Sequence, residues 1–491
     1  MPFRCLFYML QNQASPRCVY ILLNEYHNIM RAILLFFLLS LPLVAVQAQQ
    51  GGNYLKEPLP DSWQDGELFE QTTPDNDLWW QNFDDARLDS LIDVAIMNNP
   101  SVLMAIENMK RAKAVWRQAQ SNLLPQVGLQ AGWQRTRGSG NIAETMYRET
   151  YSGYYSGAVS VSWQADVFGS VYMRSKAQKK LFQATEEEYR AVMVSLCANV
   201  ATTYFSIKES IARLAVLRTN VASQQEIMNI VTSRYNSGLA SKLDVAQSKS
   251  VYYNTLAQIP AMEATITAYR NSMAVLLGCY PQDMGNWPGN DGTLPSYIDT
   301  IALGVPATLL LRRPDIREAE KNVEAYAALL GASKRDWLPT FYVNGTIGFA
   351  ADKPKELPHA RSLTWEIAPT MRWTIFSGGE RINATREAKA ALEQSILSFN
   401  SKVLTAMQEV ESAMSQYSSS IAQIVAIKEA VNQSNETLAL SLELYKQGLT
   451  QFQNVLDAQR TLLSYEDYLV QARGASLKYL VQLYEALGGG W

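Results

Sequence analysis

Side chains able to do chemistry are scarce in this 491-residue chain, which has two histidines, His27 and His359, and four cysteines. His27 lies in a stretch read below as removed, so His359 alone remains for acid–base work or metal ligation. Cys5, Cys18, Cys197 and Cys279 show neither Cys-x-x-Cys spacing nor the pattern of a disulfide framework. Cys197 falls in a helical pattern and reads as a small core residue. The sequence holds no nucleophilic triad, metal cluster or phosphate loop, so an enzyme is the weakest reading and neither cofactor nor metal is expected. Two charged clusters stand out instead. Arg312-Arg313-Pro314-Asp315 puts Pro at a first helical turn and an acid near the positive end of the helix dipole, as a structural cap and waist contact would. Ser241-x-x-Asp244 has the form of a capping box. The formal charge of -3 gives no nucleic-acid footprint, and 47% hydrophobic residues suffice for a large core.

The elements that hold these residues are written twice. Pro100 leads to Leu124-Pro125, and Pro314 leads to Leu338-Pro339 at the same spacing. Tyr235-Asn-Ser-Gly238-Leu239 returns as Tyr445-Lys-Gln-Gly448-Leu449, and Leu277-Gly278 returns as Leu487-Gly488. The offset is 214 residues at the start and 210 later. A duplication of this length dictates architecture before chemistry. It divides the chain into a first repeat over 100–278, a linker at the waist over 279–313, a second repeat over 314–488 and a tail over 489–491. Residues 49–99 form an extended leader and a short amphipathic waist helix.

Each repeat mixes strands with long helices. Val127, Leu129, Ala131 and Trp133 alternate with Gly128, Gln130, Gly132 and Gln134, and Val159, Val161 and Trp163 alternate with Ser160, Ser162 and Gln164. Phe341, Val343, Gly345, Ile347 and Phe349 oppose Tyr342, Asn344, Thr346 and Gly348. Trp365, Ile367, Met371 and Trp373 oppose Glu366, Thr370 and Arg372. These are four strands with one apolar and one polar face. Such strands suit two hairpins on a helical core, or membrane strands around a wet lumen; aromatics at strand ends favour the second. Lumen-side Arg372 and Glu366 then make a wet wall rather than a solute site. From Ser170 to Tyr235 there is neither Pro nor Gly. Seven-residue steps through Met193, Val200, Ile207, Leu214, Val221, Met228 and Tyr235 meet only apolar or aromatic residues. So do Val403, Val410, Tyr417, Ile424, Val431, Leu438 and Tyr445 in the second repeat. A rod of about 66 residues is on the order of 100 Å long. It should reverse near Gly238 or Gly448 and be flanked by a helix over 100–124 and a single return helix over 241–277, stacked end to end.

Met30-Arg31, the apolar run after it and Val46-Gln47-Ala48 form a secretory signal, with cleavage expected after Ala48 and translation expected to begin at Met30. Residues 1–48 are thus an upstream segment plus signal, and no cysteine stands at Gln49 to carry a lipid. After the signal no apolar run of about 20 residues suggests a helical anchor. Four strands cannot close a membrane barrel, because open edges in lipid leave unpaired backbone groups. Copies must pool strands: two would give eight, and three would give twelve with room for a channel.

The chain resembles the TolC-like outer-membrane efflux protein family, in its multidrug exit-duct branch. The resemblance rests on Trp79-Trp80-x-x-Phe83, Asn99-Pro100, Leu123-Leu124-Pro125, Asp166-Val-Phe-Gly169, Leu311-Arg-Arg-Pro-Asp-Ile316, Phe376-Ser-Gly-Gly379 and Gly448 through Val455-Leu-Asp457-Ala-Gln459, and spans about residues 76–488. It implies a mainly α fold with a membrane β-barrel, a homotrimer closing twelve strands and twelve tunnel helices, and location in the outer membrane with a long periplasmic extension. It further implies docking to a periplasmic adaptor and a resistance-nodulation-division type inner-membrane pump, with no catalysis. The resemblance places a periplasmic gate at the helical tips: Asp244 and Asp457, with Tyr235 and Tyr445 on the incoming helices and Gly238 and Gly448 at the turns. A ring of carboxylates there would favour cations, while a helix cap explains Asp244 equally well. Thr450 replaces an arginine that some members carry, which weakens a salt-bridge lock. The function so implied is the exit duct of a tripartite efflux system for small molecules. Export of polypeptides or of metal ions is the alternative within the class, and a periplasmic structural coiled coil the alternative outside it.

Overall fold

A computed structural model describes residues 78–137, 151–284 and 312–489, with a few positions of leader and linker. The signal segment 1–48, its cleavage at Ala48, the start at Met30, the unlipidated Gln49 and the last two residues lie outside the described residues. The elements below all belong to one unit, Leu55–Trp491.

Each repeat runs helix, strand, strand, rod, return arm. After α1 (Ala86–Asn98), the first has α2 (Pro100–Ser121), β2 (Gln126–Arg137), β3 (Tyr151–Ala165) and the rod α3 (Ser170–Asn236). The second has α6 (Pro314–Arg335), β5 (Thr340–Ala351), β6 (Leu363–Arg372), the rod α7 (Glu380–Lys446) and the return helix α8 (Phe452–Ala486). Both rods are 67 residues long, and each starts after a left-handed glycine, Gly169 or Gly379. The first return arm departs from expectation. It is two helices, α4 (Lys242–Leu256) and α5 (Gln258–Leu276), joined at Ala257. Pro260 has no N–H for the Leu256 carbonyl, so the ladder breaks there; Val470 stands at the matching place in the unbroken α8.

Leader and linker also meet, in a pairing that composition did not signal. Phe69–Glu70 (β1) runs parallel to Ile301–Ala302 (β4).

The four long strands form one antiparallel sheet in the order β2-β3-β5-β6. Its register aligns Leu129, Val159, Ile347 and Trp365 across all four strands, and the adjacent row aligns Gly128, Ser160, Thr346 and Glu366. Leu129 and Trp365 are 80% and 70% exposed, so the apolar face is bare in the single chain. β2 and β6 are the sheet's edges, each paired on one side. The helices repeat this order: α2 packs on α3, α3 on α6, and α6 on α7. α4 and α5 lie along α3, and α8 lies against both rods.

The seven-residue row is buried only in part. Met193, Val200, Ile207 and Leu214 are buried, but the buried line then moves to Leu217, Gln224 and Val231, leaving Tyr235 exposed. A straight helix drifts about 20° per heptad from a strict repeat, which accounts for the handover. One window of α3 is apolar enough by composition to cross a bilayer, yet 67% of it is buried within the chain. The waist core explains this: Trp79 stacks on Tyr484 at 5.1 Å, and Phe83 packs on Phe205 at 4.9 Å. Tyr204 Oη and Lys208 Nζ both donate to Asp85 Oδ2, at 2.5 and 3.0 Å.

Candidate functional site

The two rods end side by side. Ile227, Val231, Val251, Tyr445, Phe452, Val455 and Leu456 form a small core separate from that of the waist. Gly238 and Gly448 turn the chain with φ of 74° and 78°, a region where a Cβ is strained and glycine is not.

The tyrosines at the two tips occupy different environments. Tyr235 is 41% exposed and Tyr445 is 5% exposed, against Phe452 at 5.2 Å. Burial holds the Tyr445 phenol above its ordinary value, the Asp244 charge adds to this, and the Arg234 guanidinium opposes it. Tyr445 Oη meets no hydrogen-bond geometry; instead Arg234 lies over the ring, 5.0 Å from its centroid. Arg234 Nη1 also donates to the Lys446 carbonyl at 2.6 Å. One cation therefore ties the end of the first rod to the end of the second. The sequence reading passed over Arg234, although a base in the last turn of a helix is what the dipole favours.

The two acids are also unlike. Asp244 completes a capping box, accepting from Ser241 N at 3.1 Å while Asp244 N donates to Ser241 Oγ at 3.1 Å. Asp457 is exposed and accepts from Gln453 Nε2 at 3.0 Å. It borders a groove of about 440 Å³ with Ser434, Thr437, Ser441, Thr450 and Asn454. Asn454 Nδ2 donates to Thr450 Oγ1 at 2.6 Å, so Thr450 bonds within its own turn.

The Arg-Pro-Asp cluster sits at the other end of the arms and acts as a clasp. Arg313 donates from Nε and Nη2 to Asp315 at 3.0 and 2.8 Å and from Nη1 to the Ala486 carbonyl at 2.9 Å. It is also 2.7 Å from Glu409 Oε2. Burial pushes the Asp315 carboxyl up, but bonds and charge from Arg313 outweigh this and hold it below its ordinary value. All three nitrogens of this guanidinium bond within the protein, as a structural clasp requires. No group of metal-ligating side chains occurs among the described residues.

The outer membrane efflux protein model matches residues 91–279 and 305–489, both repeats in turn. The chain belongs to that family. It is similar to the solvent efflux pump outer membrane protein SrpC of Pseudomonas putida, 30% identical over 410 residues, covering 83% of this chain and 86% of that one. It is 29% identical over 413 residues to the cation efflux system protein CusC of Escherichia coli K12, covering 84% and 88%. The solved outer-membrane channel OprN superposes with a TM-score of 0.83 at 26% identity, over 90% of this chain and 99% of that one. As an outer membrane efflux protein the chain is a TolC-like channel, with helical tunnel and β-barrel strands, located in the outer membrane. The bare apolar sheet face therefore meets lipid and the Ser-Thr-Gly face the lumen.

Proposed function

We propose that this outer membrane efflux protein is the exit duct of a tripartite pump, working as a homotrimer that receives small molecules from a periplasmic adaptor and a resistance-nodulation-division type inner-membrane pump. One observation carries the reading: a sheet with a lipid face, a wet face and two open edges continues into rods on the order of 100 Å long. Unpaired edge strands in hydrocarbon cost several kcal/mol per backbone group, so β6 of one copy pairs with β2 of the next. Three copies close twelve strands, wide enough to conduct.

The duct is gated at its tips. Asp244 and Asp457 supply carboxylates, Gly238 and Gly448 the turns, and Tyr235 and Tyr445 the aromatic packing that opening must disturb. The repeats over 100–278 and 314–488 act as the structural units, joined through the linker over 279–313. Native mass spectrometry of detergent-extracted protein tests the assembly. A trimer is expected, and a stable monomer would remove the barrel.

A further inference from the structure

The duplication supplies a template for a contact that a single chain cannot make. Within the chain, rod α3 packs on the short helix α6 of the other repeat. The matching partner of rod α7 is a short helix α2, and in one chain these two lie at opposite ends of the order α2-α3-α6-α7. If copies join β6 to β2, as proposed above, α7 of one copy lies against α2 of the next. The inference rests on that trimer.

Ion pairs close the seam between α3 and α6. Arg174 Nη2 is 2.6 Å from Asp336 Oδ2, Arg317 Nη2 is 2.9 Å from Glu187 Oε1, and Lys180 pairs with Glu324. Moving along the rods by 210 residues carries Arg174, Lys180 and Glu187 to Ala384, Ala390 and Leu397. Moving along the short helices by 214 carries Asp336, Glu324 and Arg317 to Asn122, Lys110 and Leu103. None of the three pairs survives. All six substitutes are exposed in the single chain, and Leu103 and Leu397 are 48% and 51% exposed. Lys110 is taken by Glu107 at 2.7 Å on its own helix, an exchange of sign relative to Lys321 and Glu324, which form the same one-turn pair at 2.7 Å.

We infer that the tunnel has two chemically different seams: an ion-paired one inside each chain, and an apolar, small-residue one between chains, where Leu103 of one copy packs on Leu397 of the next. Charge fixes the first seam. In the second, none of the three pairs has a counterpart, and its one charged substitute, Lys110, is held by Glu107 on its own helix, so salt has less there to screen than in the first.

Cysteine cross-linking reads the register directly. Cys197 is fully buried, with its thiol pushed up to about 12 by burial, and stays inert, so a Cys279→Ser background suffices. An arginine–glutamate pair spans a wider gap than a disulfide, so a short bismaleimide is the probe. Leu103→Cys with Leu397→Cys should give covalent trimers on denaturing gels, and each single variant none. Val115→Cys with Leu397→Cys, displaced about 18 Å along the helix, should give none. Leu397→Glu alone should abolish the 103–397 contact, read as faster hydrogen exchange of both helices within intact trimers, and adding Leu103→Arg should restore protection at low salt and less at high salt, unlike the parent. Native trimers that fail to cross-link through 103 and 397, or that cross-link through 115, would overturn the register and leave the exit duct standing. Monomers in the parent protein would overturn both.

Discussion

Arg234 is the residue on which the closed tip should depend most. Its guanidinium donates to the Lys446 carbonyl at 2.6 Å and lies 5.0 Å from the Tyr445 ring centroid, so parting the rod ends breaks both contacts at once. A hydrogen bond from a charged donor contributes about 1.5–3 kcal/mol; Arg234 is half-buried, which puts this one at the low end. A cation over a buried ring adds about 0.5–1 kcal/mol. Replacing Arg234 with Ala should therefore weaken each protomer's tip by about 2 kcal/mol, or about 30-fold in the fraction of parted tips. The readout is single-channel conductance in planar bilayers, joined to hydrogen exchange of peptides spanning 227–245 and 438–456. Conductance and exchange should both rise. Tyr445→Phe keeps the ring under Arg234 and the bond to the Lys446 carbonyl, and should raise both less than Arg234→Ala does. Arg234→Ala trimers with unchanged exchange would refute the energetic reasoning, and faster exchange with unchanged conductance would separate the contact from the gate.

The remaining predictions concern the acids, the turns and the waist. Asp244→Asn with Asp457→Asn keeps the cap acceptor and removes the charge, so trimers should lose cation preference in bilayers, most at low salt where screening is weak; unchanged selectivity would make both acids caps alone. Gly238→Ala meets open space and should cost about 1–2 kcal/mol for its left-handed turn. Gly278→Ala would put a Cβ 2.3 Å from the Asn98 carbonyl and should abolish folded trimers, as native mass spectrometry would show. Arg313→Ala removes the cation shared by Asp315 and Glu409, leaving Asp315 the Ile316 N–H, and should cost about 1–3 kcal/mol, seen as a lower midpoint in thermal circular dichroism. Because the Asp315 carboxyl is held below 3.8 in the fold, its contribution is present above that pH and is lost as pH falls through the depressed value; the variant should lack this acid-side loss.

Much of the fold was legible because it is periodic. Alternation located the four strands, and the seven-residue step located both rods, since a pattern of either kind persists over many residues and tolerates single exceptions. What escaped depends on single positions. Pro260 was visible, yet the return arm was read as one helix from 241 to 277 by its length, which takes no account of one missing N–H. The pairing of Phe69–Glu70 with Ile301–Ala302 spans two residues on each side, too few for any alternation. The strict seven-residue row misplaced Tyr235, which is exposed, whereas Tyr445 at the matching place is buried against Phe452. At the tip, the resemblance directed attention to Asp244 and Asp457, and the side chain joining the two rods proved to be Arg234.

The two repeats keep their geometry and change their chemistry wherever their neighbours differ. Asn99 and Arg313 hold matching places before the first proline of each repeat, and each reaches the carbonyl two residues before a closing glycine: Asn99 Nδ2 to Leu276 at 2.8 Å, Arg313 Nη1 to Ala486 at 2.9 Å. The bond is the same, but only Arg313 carries charge, and it carries it beside Glu409 of rod α7. Rod α3 is gripped on both flanks within one chain and has the larger share of fully buried side chains, among them Val200, Tyr204, Phe205 and Ile207. Rod α7 ends the order of helices and presents Leu397, Leu404 and Val425 to the outside. A repeat that had to serve equally inside and between chains would keep one seam chemistry. Divergence at the positions of Arg174, Lys180 and Glu187 is what the proposed trimer calls for, with one copy of the seam inside a chain and the other between chains.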